Sequence, residues 1–68
     1  MRYRVYYELK GTGINWYFDS AHLVVKRLRW LFYHKIDAVV TFENKVVGRV
    51  WADNSQRNGM NWYFNNNK

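Results

Sequence analysis

The sequence predicts an α+β domain in the order ββαβββ, with one amphipathic helix packed on one face of an antiparallel sheet. Three observations predict it. Apolar residues alternate with period two over residues 2–9, 14–18 and 38–52, the pattern of half-buried strands. Between these stretches the period changes to 3.6 over residues 21–36, a segment without Gly or Pro. Finally, Gly13-Ile14-Asn15-Trp16-Tyr17-Phe18 returns as Gly59-Met60-Asn61-Trp62-Tyr63-Phe64, after Arg4-Val5-Tyr6 in one case and Arg49-Val50-Trp51 in the other. Such a repeat suggests one strand–turn–strand unit used twice. Residues 1–64 are expected to form a single domain, and residues 65–68 a frayed tail.

The first strand sends Tyr3, Val5, Tyr7 and Leu9 one way and Arg2, Arg4, Tyr6 and Glu8 the other. Lys10-Gly11-Thr12-Gly13 reads as a turn. A four-residue loop there pairs Leu9 with Ile14, Tyr7 with Trp16 and Val5 with Phe18, which matches the apolar faces. Asp19 or Ser20 is suited to cap a helix by accepting from a free N–H of its first turn. At 100° per residue, Ala21, Val24, Val25, Leu28, Leu31, Phe32 and Ile36 share one helix face. Leu28 and Phe32 are expected over Trp16. The basic side chains sit toward the helix C-terminal half, where they complement its dipole.

A second hairpin is expected over residues 37–52, turning near Asn44-Lys45. A two-residue turn pairs Phe42 with Val47; a three-residue loop pairs Phe42 with Val46. The latter puts Ala38, Val40, Phe42, Val46, Gly48 and Val50 on one face, the better partition. A polar loop over 53–59 leads to a last short strand with Met60, Trp62 and Phe64 inward.

With no second helix, the other sheet face must meet water or a partner. It should carry Arg2, Arg4, Tyr6, Glu8, Asn15, Tyr17, Arg49, Trp51, Asn61 and Tyr63. The chain has eleven Lys and Arg against five Asp and Glu, a net charge of +6, which favours an acidic partner. Arg interleaved with rings on an open sheet is the surface single-stranded nucleic acid uses: bases stack on the rings and Arg meets phosphate. A binding role of this kind is the expectation, through Arg2, Arg4, Tyr6, Tyr17, Arg49 and Trp51, with Lys26, Arg27 and Arg29 as a second electrostatic patch. Rings also stabilise strands without any ligand. Neither a helix-turn-helix nor an RNA-recognition aromatic motif is present.

The alternative is a protein-interaction module, an inhibitor or adaptor that docks Trp30 or Trp51 on an acidic protein. Trp30 falls mid-way along the polar helix face among Lys26, Arg27, Tyr33 and His34, with Leu23 alongside, a costly place to expose an indole. Leu23, Trp30 and Tyr33 are its candidate contacts. A homodimer is also expected, because so short a chain buries little core and its sheet has two edges.

Catalytic, metal and cofactor roles find no support. Ser20, His22 and Asp19 are neighbours at a helix start, where capping explains them. Gly11-Thr12-Gly13 precedes a strand and lacks the Lys-Ser/Thr of a phosphate loop. His22 and His34 lie ~18 Å apart on a helix, too far to share a metal. There is no Cys, so disulfides and thiolate zinc sites are excluded. No apolar run approaches the ~20 residues of a membrane span, and no signal-peptide core opens the chain. A soluble cytoplasmic protein without membrane contact is expected.

Overall fold

The computed structural model describes residues 2–65. They form one antiparallel sheet and one helix: β1 Tyr3–Leu9, β2 Thr12–Phe18, α1 Ala21–Tyr33, β3 Ala38–Phe42, β4 Lys45–Ala52 and β5 Met60–Phe64. The strands lie in the order β2-β1-β3-β4-β5. Both β2 and β3 run antiparallel to β1, so they are parallel to each other. The chain between them must cross the sheet, and α1 is that crossover. It packs against β1, β2, β4 and β5, burying Val24, Leu28 and Leu31 over Tyr3, Val5, Tyr7, Ala38, Val40, Phe42, Val50 and Met60.

The helix begins as read and ends early. Ser20, not Asp19, is the cap: its backbone is extended and its Oγ accepts from Leu23 N–H at 3.3 Å. The helix stops at Tyr33 because Lys35 turns left-handed, φ 59°. Lys35 N–H then donates to Phe32 O and Ile36 N–H to Leu31 O, the two bonds that close a helix of this kind. Ile36 still reaches the core as the residue folded back beyond the cap. Ending at Tyr33 leaves no basic residue in the last turn, so Lys26, Arg27 and Arg29 do not complement the dipole as expected.

The first hairpin departs from its expected register throughout, the second only next to its turn, since Val40 faces Gly48 and Ala38 faces Val50 as the three-residue loop predicts. Leu9 faces Thr12, Tyr7 faces Ile14, Val5 faces Trp16 and Tyr3 faces Phe18. The turn holds only Lys10 and Gly11, both at positive φ, as the tightest hairpins require. The shift is an even number of residues, so every side chain keeps its expected face. In the second hairpin Glu43 and Asn44 form the turn, again both at positive φ, and Phe42 faces Lys45. That register alone would turn Arg49 into the core. A bulge corrects it: Thr41 faces Val46, but Val40 faces Gly48. Val46 therefore points out, 57% exposed, instead of inward.

Gly48 is needed at this point for space. Phe64 Cδ1 and the Tyr63 carbonyl oxygen lie 3.0 Å from where its Cβ would be, and Val40 Cβ lies 3.3 Å away. Phe64 leans across it to meet Tyr3, which also packs on Phe42, with ring centroids 5.7 and 4.6 Å apart. Asn65, expected to fray, donates its N–H to Val47 O at 2.8 Å. The rest of the expected tail, 66–68, lies outside the described residues.

The two copies of the repeat become β2 and β5, the opposite edges of the sheet. They are not one unit used twice. Strands β1 and β4 are parallel, yet β2 lies to one side of β1 and β5 to the other side of β4. Any rotation superposing the pairs would turn the core face outward.

Candidate nucleic-acid interface

Strand parity sorts the open face. Arg4, Tyr6 and Glu8 of β1, Asn15 and Tyr17 of β2, Val39 and Thr41 of β3, Arg49 and Trp51 of β4, and Asn61 and Tyr63 of β5 point away from α1. Register then sets them in rows. Arg4 stands directly between Tyr17 and Thr41. A longer row runs Asn15, Tyr6, Val39, Arg49, Tyr63 across all five strands. Trp51 and Tyr63 meet edge to face, centroids 6.0 Å apart. Each Arg thus has a ring on an adjacent strand, at the range of cross-strand pairing.

Several of these side chains are already engaged. Tyr6 donates its hydroxyl to Glu8 Oε2 at 3.0 Å. That hydrogen bond, with burial and the Glu8 charge adding to it, holds the phenol above its ordinary 10.0. Tyr6 therefore stays neutral. Its ring lies over Gly13, where a Cβ would come within 3.1 Å of it. Arg2 pairs with Asp19, Nε to Oδ1 3.6 Å, with both side chains largely in water, an attraction worth little. Arg4, Tyr17, Arg49 and Tyr63 are exposed, and Trp51 is half-buried. Beside this face, a hollow of about 460 Å³ opens where β3 begins, between Glu8, Lys35, Asp37 and Arg49.

A second cluster lies at the β2 side of α1, on the other face of the sheet. Trp16 has the expected parity but sits at the margin, 41% exposed, rather than beneath Leu28 and Phe32. Its Nε1–H donates to the buried Tyr7 hydroxyl at 2.8 Å, and it stacks on Phe18 at 6.3 Å. Arg27 places its guanidinium 4.7 Å from the Trp16 ring and 5.0 Å from the Trp30 ring. Trp30 in turn packs on His34 at 4.4 Å. Among the described residues Arg27 has no hydrogen-bond or ion-pair partner, so it contacts the two indoles while its N–H groups are not engaged.

The expected helix patch is therefore split. Lys26 and Arg29 are exposed, while Arg27 is half-buried between indoles. Phe18, Leu23, Lys26, Arg27 and Trp30 line a hollow of about 310 Å³. Leu23, Trp30 and Tyr33 are all exposed. Sequence reading missed Trp16 as a surface ring and Tyr63 as the partner of Trp51. Placement of both repeats at sheet edges is the signal that exposes them.

No group of three or more His, Cys, Asp or Glu that could hold a metal comes together among the described residues. No helix among them is long and apolar enough to cross a membrane. Comparison of the chain with protein families, characterised proteins and solved structures yields no match.

Proposed function

We propose that this is a non-enzymatic nucleic-acid-binding protein, with a preference for single strands, that uses the open face of its sheet. The observation that carries the reading is the direct cross-strand setting of Arg4 beside Tyr17 and Arg49 beside Tyr63, with Trp51 against Tyr63. Unpaired bases offer π-faces to such rings, and their phosphates offer charge to the Arg. Glu8, the acid carried on this face by β1, is already occupied by the Tyr6 hydroxyl. A duplex hides its bases, so it would gain only the charge attraction.

Fluorescence titration with single- and double-stranded oligonucleotides over a salt series tests the reading. Three phosphate contacts, at Arg2, Arg4 and Arg49, give a log–log salt slope of roughly −2 for a single strand. Tyr17→Ala and Trp51→Ala should each weaken binding by about 1–3 kcal/mol. Arg4→Ala should instead flatten the slope by roughly 0.7. Absence of single-strand binding at low salt overturns the reading. It would leave the second one, a protein-interaction module docking through Leu23 and Trp30 beside the Arg27 hollow, which their exposure favours.

A further inference from the structure

The two edge strands share a sequence but are finished differently. On β5, Met60 N–H donates to Asn58 Oδ1 at 3.2 Å and Trp62 N–H to Asn61 Oδ1 at 2.8 Å. Side chains thus satisfy amides that face away from β4, and this edge is blunted. Strand β2 has no such cover. Counting from Leu9–Thr12, the hydrogen-bonded pair that closes a two-residue turn, alternate residues Gly13, Asn15 and Tyr17 aim N–H and C=O away from β1. None of these backbone groups has a side-chain partner among the described residues. From Gly11 to Phe18 there is no charge and no Pro, and the β1–β2 pairing has no bulge. The devices that keep sheet edges apart are missing.

We infer that β2 pairs with β2 of a second copy, antiparallel, about a twofold axis at Asn15, joining two sheets into one. Asn15 is the midpoint of Thr12–Phe18, so this register gives the longest overlap. It is also self-complementary in size. Tyr17 falls opposite Gly13 of the partner subunit, Trp16 opposite the partner's Ile14, and Phe18 opposite the partner's Thr12. Each large side chain meets a smaller one. On the open face the row continues Arg4, Tyr17, then the partner's Gly13 and the partner's Glu8, so opposite charges flank the axis. Exposed apolar surface on Trp16, Tyr17 and Leu9 is covered in the same step. This pairing puts the dimer contact at the strand edge rather than at Trp30 or Trp51, and it does not depend on nucleic-acid binding.

The chain contains no Cys, so a single introduced one reports on geometry. Directly opposite residues place their Cβ atoms ~4.5–5.5 Å apart, close to disulfide reach. Under glutathione disulfide and without nucleic acid, Asn15→Cys should give a covalent dimer readily, and Tyr63→Cys on the blunted edge should not. Sedimentation velocity should show a concentration-dependent dimer for the unaltered protein. Asn15→Lys should raise the dissociation constant about fivefold or more, since like charges then stand opposed across the axis, with the circular dichroism spectrum unchanged. A strictly monomeric unaltered protein overturns the inference and leaves the edge for a strand of another protein. Equal crosslinking at Tyr63→Cys, or Asn15→Lys dimerising undiminished, also overturns it.

Discussion

Arg27 gives a sharp test of how the helix is fastened to the sheet edge. Its guanidinium lies 4.7 Å from one indole and 5.0 Å from another. Each cation–π contact at a partly exposed site contributes ~0.5–1 kcal/mol. Removing the stem also bares indole surface that its methylenes cover, while freeing an arginine returns some rotamer entropy. These last two effects oppose each other, so Arg27→Ala should destabilise the fold by about 1–2 kcal/mol, close to the two ring contacts alone. In a domain of this size that lowers Tm by roughly 4–8 °C per kcal/mol. Arg27→Lys keeps the charge but replaces the broad guanidinium with a compact ammonium, and should fall in between. Arg29, exposed and without a partner among the described residues, should tolerate Ala within ~0.5 kcal/mol. The assay is urea denaturation followed by circular dichroism, because fluorescence would itself change with the surroundings of two Trp. An unchanged midpoint for Arg27→Ala, or an equal loss for Arg29→Ala, refutes the reasoning.

Gly48→Ala should destabilise by about 1–3 kcal/mol in thermal melts, because a backbone carbonyl 3.0 Å from the new Cβ cannot move as a side chain can. Lys35→Gly should stabilise by about 1 kcal/mol in the same melts, since Gly adopts the left-handed cap without steric cost. Asp53 accepts from the hydroxyl and then the N–H of Ser55, and from Asn61. These bonds hold its carboxyl below the ordinary 3.8, led by the Ser55 hydroxyl. A lowered folded-state pKa means its contribution is present above the unfolded value and lost as pH falls through the folded one. Acid unfolding should therefore be shallower for Asp53→Asn below pH ~4, and a carboxyl titration by NMR should place Asp53 below the ordinary aspartate value.

The fold class, element order and sheet faces were legible because period-two and period-3.6 stripes survive small errors of register. Ser20 was readable as a cap from its chemistry. The helix end was not, because Lys35 adopts a conformation that Gly normally marks. The second hairpin could not be resolved by counting, since a two-residue turn and a bulge together mimic a three-residue loop for Gly48 and Val50 while reversing Val46. Of the candidate site, Arg4, Tyr6, Tyr17, Arg49 and Trp51 were correctly assigned to one face by parity alone. The engagement of Arg27 was hidden, because nothing in the helix period reveals that Trp16 stands at an edge beside it. Nor did the near-identity of the repeats reveal that one Asn caps its strand edge while the other leaves it open.

The most direct test of the open face as the binding surface is an amide and side-chain NMR titration with a short single-stranded oligonucleotide at low salt. The resonances of Arg4, Tyr17, Arg49, Trp51 and Tyr63 should shift together and return as salt is raised. Those of Lys26, Arg29 and Trp30, on the other side of the domain, should move little. Shifts confined to Lys26, Arg27 and Arg29, or none at all, would contradict the assignment.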